Sequence, residues 1–187
     1  GGHGQNIALM QELGHSLTIF SSEHASTEVI QEALDQGETN LDTGSLLQLP
    51  YADESFDVVI CYRILSHMAS WQTLAGELSR VARNLVLVDY PSKRSVNIIA
   101  DALFVLKKSV EKNTRRYGIF SDGEVDDAFN SSGRRCTFRY RQFFLPMALY
   151  RFIGHTGFCR FAAGGFRLLG LTGLFGSPVI AGYSTPA

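Results

Sequence analysis

Residues 49–59 read LPYADESFDVV, a polar loop that leads directly into a run of apolar residues. This run is rich in Val and Ile, lacks helical spacing and predicts a buried β-strand over Phe56–Tyr62. Asp57 is interpreted as a structural residue that opens the strand. A helix-length segment with one apolar side follows, and it leads to a second apolar run over Leu85–Tyr90. Strand, helix and strand in this order form the repeating unit of a parallel sheet.

The same alternation of strands and helices extends in both directions along the chain. We predict helices over Gln5–Leu13, Thr27–Gln36, Trp71–Arg83 and Val96–Glu111, and one from Ser121 to Gly133. Further strands are predicted over Ser16–Phe20, Thr39–Asp42, Cys136–Phe144 and Pro178–Tyr183. Pro146–Leu174 is apolar and Gly-rich, which favours two short helices. The fold class is therefore α/β, a doubly wound, mostly parallel, Rossmann-like sheet with helices on both faces.

Length and composition favour one globular domain over residues 1–187. The 187 residues are 45% apolar and 19% charged, which suffices for a substantial core. Three cysteines without a CxxC pair indicate neither a disulfide framework nor a zinc site. The start of the chain lacks the basic and apolar segments of an export signal. Together these features predict a cytoplasmic protein.

Charge is distributed unevenly along the chain. Residues 1–100 hold 5 Lys and Arg against 12 Asp and Glu, a balance of −7, whereas residues 101–187 hold 12 against 6, a balance of +6. Seven arginines and no acidic residue follow Asp127, interleaved with aromatic residues. This segment is either a helical cover with solvated arginines or a contact, through residues 136–176, with an anionic membrane surface or amphipathic substrate. The net charge of −1 argues against nucleic acid as a partner.

Four residues at the start, Gly1-Gly2-His3-Gly4, precede a predicted helix. Glycines at such a position let a ligand approach the backbone, and the free N–H groups of a helix start favour a carboxylate or phosphate. A glycine-rich flexible or cloning-derived end is the alternative interpretation of these residues.

The segment LPYADESFDVV resembles the LPF-x-D-x-SFD-V-V signature of class I S-adenosylmethionine-dependent methyltransferases. Ile64–Met68, Glu77–Val81 and Leu85–Asp89 are similar to the segments that follow it in that family, in the same order. The resemblance covers roughly residues 1–100, which would be the cofactor-binding core, and fades over residues 101–187, the expected substrate side. It implies S-adenosylmethionine as cofactor and methyl transfer to a small, hydrophobic molecule.

The resemblance also implies which residues hold the cofactor. The opening loop would be the second half of the family's glycine motif, with contacts from Gly2, His3, Gly4 and Gln5. The strand that precedes this motif is absent from the sequence, so we expect the natural protein to be longer at its N-terminus. Strand-end contacts with the cofactor are expected from Cys61 and Tyr62. Because ligands of open α/β sheets bind at the carboxyl ends of the strands, Cys61–Arg63 and Asp89–Pro91 are expected to line the pocket.

Two departures from the family pattern concern acidic cofactor ligands. Ser21, followed by Ser22, occupies the slot of the acid that holds the ribose, and Glu23 is the alternative ligand. Ser45, followed by Leu46, replaces the acid near the adenine. Either serines, backbone and apolar contacts hold the cofactor, or the chain is a non-catalytic binding or scaffold subunit. An NAD(P)-dependent oxidoreductase would fit the G-x-G turn, but LPYADESFDVV does not belong to such enzymes.

Two residues are candidates for the chemistry. Arg63, at the end of the strand over Phe56–Tyr62, can grip a carboxylate or phosphate of a substrate, or form a surface ion pair. His67 lies where the family often has a histidine, and it can take a proton from a hydroxyl as it is methylated, or serve as a packed or capping residue. The expected reaction needs no metal. A helical lid beginning at Cys136 is expected to roof the pocket.

Overall fold

The structure, a computed structural model, describes residues 7–21, 39–95, 118–144 and 163–186. Its helices α1 to α4 span Ile7–Glu12, Trp71–Val81, Asp122–Asn130 and Leu171–Phe175. Its strands β1 to β6 span Leu17–Ser21, Thr39–Thr43, Phe56–Cys61, Ala82–Tyr90, Arg135–Phe143 and Ser177–Ser184. A 3₁₀ helix over Leu65–His67 follows β3, and residues 163–168 are also helical. The helices predicted over Thr27–Gln36 and Val96–Glu111 lie outside the described residues.

The strands expected from sequence in this part of the chain are observed, with ends shifted by at most three residues. The largest shift is at β4, because α2 passes into it without a loop and Ala82 already has extended dihedral angles. Gly14 ends α1 as expected, with φ of 76° and its N–H donating to the Gln11 carbonyl at 2.9 Å. A left-handed residue at a helix end favours glycine.

The described strands form two sheets. In one, β1 and β2 are parallel. The other has the order β3-β4-β6-β5, in which β3 and β4 are parallel and β6 is antiparallel to both of its neighbours. Helix α2 connects β3 to β4, as a parallel crossover requires. Tyr51 links the sheets, because its ring makes edge contacts with Phe20 of β1 and Phe56 of β3 at centroid distances of 5.9 and 4.8 Å.

The core lies between one face of the four-stranded sheet and helices α2 and α3. Val86, Val88 and Tyr90 alternate along β4 and are fully buried on this face. Their partners in the core come from α2, α3 and β6, and include Leu74, Leu78, Val125, Phe129, Val179 and Tyr183. Alternate burial along β4 and β6 is the pattern of strands covered on one face.

The other face of β3 is more open than the sequence suggests. Val58 and Ile60 remain 46% and 39% exposed, so the expectation of a fully buried strand over Phe56–Tyr62 is wrong for that face. No helix or strand of the described residues covers these two side chains, and β3 pairs there only with β4. An apolar sequence shows that a strand tends to be buried, but it does not show whether a helix or another strand packs over both of its faces.

The expectation of a roof that begins at Cys136 is wrong for residues 136–143. These residues belong to β5, which pairs with β6 from Arg135 to Phe143 and extends the sheet at its edge. The nine residues of β5 pair their backbone groups with β6, and this ladder satisfies hydrogen-bonding groups that an irregular segment would leave open. Residues 145–162 lie outside the described residues, so the rest of the roof stays a prediction.

Candidate functional site

The carboxyl ends of β3 and β4 bring several predicted site residues together. Cys61 ends β3 and is 4% exposed, and it pairs in register with Val88, the residue before Asp89. The Asp89 carboxylate accepts a hydrogen bond from the backbone N–H of Arg63, with 2.5 Å between Oδ1 and N. The connections that follow the two parallel strands are therefore tied to each other where ligands of open α/β sheets bind.

Burial sets the protonation of this cluster. It raises the pKa of the Cys61 thiol to about 12, so the group is neutral and not a nucleophile at ordinary pH. The pKa of Tyr62 is raised by burial and by the Asp89 carboxylate. Burial also raises the pKa of Asp89, against the hydrogen bond from Arg63 that favours its charged form. The cluster thus presents a neutral thiol, a neutral phenol and a partly desolvated carboxylate.

Arg63 has an unusual backbone. Its φ of 61° lies in the left-handed region, where non-glycine residues are uncommon. Its side chain is exposed, and its guanidinium forms no ion pair within the described part of the chain. The guanidinium therefore stands at the strand end, as a substrate-gripping group requires, although the role itself stays a prediction.

His67 closes the 3₁₀ helix that follows β3. Its side chain is exposed, its backbone N–H donates to Ile64 O at 2.9 Å, and Leu65 and Ser66 beneath it are buried. The connection after β3 thus carries both predicted catalytic residues. Whether His67 accepts a proton from a substrate stays a prediction.

The carboxyl ends of β1 and β2 bring two of the three predicted serine ligands, Ser21 and Ser45, into neighbouring positions. Ser21 is 7% exposed, and its carbonyl accepts the Gly44 N–H at 3.1 Å. Ser45 is exposed, and its Oγ accepts the Leu47 N–H at 3.3 Å, which leaves its own O–H able to donate. Leu46 packs against the core.

Asp42 is an acid near these serines that the sequence interpretation passed over. Its carboxylate accepts the Tyr51 hydroxyl, with 2.7 Å between Oδ2 and the phenol oxygen. This contact and burial raise the pKa of Tyr51. The signal was present, since Asp42 is the only acid in the TNLDT strand, but its partner is nine residues away in the loop.

Six predicted cofactor contacts lie outside the described residues: Gly2, His3, Gly4, Gln5, Ser22 and Glu23. Their roles stay predictions. The described part of the chain therefore supplies the strand-end half of the expected cofactor site.

The LPYADES loop is held by α2. The Arg80 guanidinium donates to the carbonyls of Leu49 and Tyr51 at 3.0 and 2.7 Å, and to the Asp53 carboxylate at 2.9 Å. Glu77 pairs with Arg80 and accepts the Leu49 N–H at 2.8 Å. Arg80 consequently lowers the pKa of Glu77. Two segments that resembled the methyltransferase family thus contact each other, and both serve the scaffold.

These strands, helices and connections form a Rossmann-like α/β fold that solved methyltransferases share. Residues 1–86 match the family model described as a methyltransferase domain. A methyltransferase domain implies S-adenosylmethionine as the methyl donor. No curated protein matches the chain in sequence.

Several solved structures share the fold. Magnesium protoporphyrin IX methyltransferase from Synechocystis PCC 6803, with bound S-adenosylhomocysteine, is 16% identical, with 98% of this chain and 82% of that chain covered and a TM-score of 0.57. A Haloferax volcanii complex that contains the Trm112 methyltransferase activator is 17% identical, with 100% of this chain and 79% of that chain covered and a TM-score of 0.62. The [4+2]-cyclase SpnF is 16% identical, with 100% of this chain and 72% of that chain covered and a TM-score of 0.61. At such identities the likeness establishes the fold.

Neither a membrane-spanning helix nor a metal-binding cluster occurs among the described residues. No helix among them is long and apolar enough to cross a bilayer. No group of three or more His, Cys, Asp or Glu side chains among them could hold a metal ion.

Proposed function

We propose that this chain transfers a methyl group from S-adenosylmethionine to a small, hydrophobic molecule. The observation that carries the proposal is the strand-end cluster of Cys61, Tyr62, Arg63 and Asp89, which lies within or just beyond the residues that match a methyltransferase domain. The neutral phenol and thiol at the ends of these strands suit contact with an uncharged, hydroxyl-bearing nucleoside.

The predicted site residues in the described part of the chain have different tasks in this proposal. The serines at the ends of β1 and β2 would hydrogen-bond the nucleoside, and Tyr62 would line the space beside it. Arg63 would bind an anionic group of the acceptor, and His67 would take the proton of a hydroxyl acceptor. S-adenosylmethionine, when bound, supplies an activated methyl group, so the protein needs mainly to orient the acceptor and exclude water.

The fold alone leaves the reaction open, because the neighbours include a [4+2]-cyclase as well as methyltransferases. The proposal therefore needs a direct test. Calorimetric titration with S-adenosylhomocysteine should give saturable heat, and titration with NAD should give none. Radiolabelled S-adenosylmethionine should then transfer label to a member of a panel of apolar acceptors with and without a carboxylate.

Three results would contradict the proposal. Absence of heat with S-adenosylhomocysteine would remove the cofactor assignment, and saturable binding of NAD would favour an oxidoreductase. Tight binding of S-adenosylhomocysteine without transfer to any acceptor would favour the non-catalytic subunit that the missing acids at Ser21 and Ser45 suggest. Arg63→Gln provides the matched variant, since it should lose anionic acceptors and keep neutral ones.

A further inference from the structure

We propose that Asp89 is a positioning residue. Its carboxylate holds the backbone of Arg63 in the left-handed conformation, and the cofactor site depends on the path that the connection after β3 takes as a result. The inference rests on the function proposed above. It starts from the backbone at Arg63, whose φ of 61° is disfavoured for a residue with a side chain.

The partner of this strained residue belongs to a rigid strand. Asp89 lies in β4, which is paired on both sides, with β3 through Val88 and with β6 through Ile180 opposite Asp89 itself. From this fixed position its Oδ1 accepts the Arg63 N–H at 2.5 Å. A charged acceptor forms a stronger hydrogen bond than a neutral one, and here it is partly shielded from water.

The connection is also anchored at its far end. Leu65 is fully buried, and the carbonyl of Ser66 accepts the Gly118 N–H at 2.7 Å. Cys61 is fixed at the near end by its strand. The direction of the chain between these anchors is consequently decided at Tyr62 and Arg63, and Asp89 is the side chain that bonds there.

Glycine would take this conformation without cost, yet the chain has arginine there. Strain of this kind persists where the side chain has a task and the surroundings compensate for it. The exposed guanidinium at the strand end is such a side chain. Asp89 therefore lets an arginine occupy a position that otherwise suits glycine.

A double-mutant cycle tests this role. Asp89→Ala removes the acceptor and should weaken S-adenosylhomocysteine binding at least tenfold in calorimetry. The same substitution in an Arg63→Gly background should weaken it less than threefold, because glycine keeps the turn unaided. Asp89→Asn retains an acceptor oxygen and should recover most of the affinity in the chain with Arg63. Equal losses in both backgrounds, or no loss in either, would overturn the proposal.

Thermal unfolding of the parent, Asp89→Ala, Arg63→Gly and the double variant separates this inference from the proposed function. Asp89→Ala should lower Tm more when residue 63 is arginine than when it is glycine, whether or not any ligand binds. If the parent protein binds no S-adenosylhomocysteine, the proposed function fails, while the unfolding cycle still decides the turn. Equal Tm losses in the two backgrounds would then overturn it.

Discussion

Arg80 shows at the scale of one residue why a signature can be specific without binding a ligand. Its guanidinium reaches two loop carbonyls and two carboxylates at once. A planar fork with five donors is suited to this task, whereas an ammonium group is not. Arg83, three residues on, pairs with Asp57, and both side chains are more than half exposed.

The two arginines therefore make a matched pair for mutagenesis. Arg80→Lys should lower the free energy of unfolding by about 1–2 kcal/mol, since at least one loop carbonyl loses its donor. Arg83→Lys should change it by less than about 0.5 kcal/mol, as is usual for an exposed ion pair. Urea unfolding measures both. Equal effects would mean that the loop does not depend on the Arg80 fork.

Helix α3 shows at the scale of elements how polar contacts fasten a helix to a sheet. Asp122 and Asp126, one turn apart on α3, each receive a tyrosine and an arginine. Tyr90 and Arg141 bind Asp122, while Tyr183 and Arg139 bind Asp126. The two arginines alternate along β5, and therefore point to the same side of the sheet.

The start of α3 is fastened by a capping box that titrates. The Glu124 side chain accepts the Ser121 N–H at 2.7 Å, and Lys93 lies 2.7 Å from its other oxygen. These contacts lower the pKa of Glu124 to about 2, whereas an unperturbed glutamate has a pKa of about 4.3. A lowered folded-state pKa stabilises the fold above pH about 4.3, and the stabilisation is lost as the pH falls towards 2.

We accordingly expect the unfolding free energy to fall between pH 5 and 2 more steeply in the parent protein than in Glu124→Gln. Glutamine can keep the capping hydrogen bond but has no proton to gain. Urea unfolding at pH values of about 6, 4 and 3 measures the two slopes, and the other carboxylates contribute equally to both proteins. Identical slopes would contradict a native-state role for the Glu124 charge.

At the scale of the whole molecule, the basic C-terminal segment divides into two parts. Arg134 is 4% exposed and donates to the carbonyls of Ser79, Ala82 and Asn84, where α2 ends without a loop. The pairing of Arg139 and Arg141 with aspartates neutralises two more charges. The solvated cover that the sequence suggested is therefore wrong for these three arginines.

A smaller exposed surface remains around residues 163–175. Arg167 is exposed and hydrogen-bonds the Tyr140 hydroxyl at 2.6 Å. Leu168 and Leu169 beside it are 89% and 72% exposed, just before the left-handed Gly170. Contact of this segment with an anionic membrane stays a prediction, as do the cytoplasmic location, the single domain and the absence of nucleic acid partners.

The membrane prediction is tested by co-sedimentation with vesicles. The parent protein should bind vesicles rich in phosphatidylserine at low salt and bind less at about 0.5 M salt, where charge attraction is screened. Leu168→Ser/Leu169→Ser should lower binding severalfold. Leu13→Ser is the control, because Leu13 is 61% exposed but lies in the acidic half of the chain. No binding at low salt would exclude the contact.

Local chemistry in the sequence determined where the elements lie. Runs of Val, Ile and Leu indicated β3, β4 and β6, Gly14 and Gly133 follow helices, and Ser121 and Glu124 have the S-x-x-E spacing of a capping box. The methyltransferase resemblance was also readable, because the LPYADES loop and α2 use side chains that few other residues can replace. Such signals act within a few residues or through one specific contact.

Tertiary structure alone decided the remaining features. The antiparallel pairing of β6, the burial of Arg134 and the bond between Asp89 and Arg63 each depend on residues 26 to 99 positions apart. Hydrophobic pattern is the same for a strand read in either direction, so it cannot give the direction. From sequence alone an arginine is likewise expected to face solvent. It can be buried only where the fold brings carbonyls or carboxylates to it, since a buried charge needs such partners.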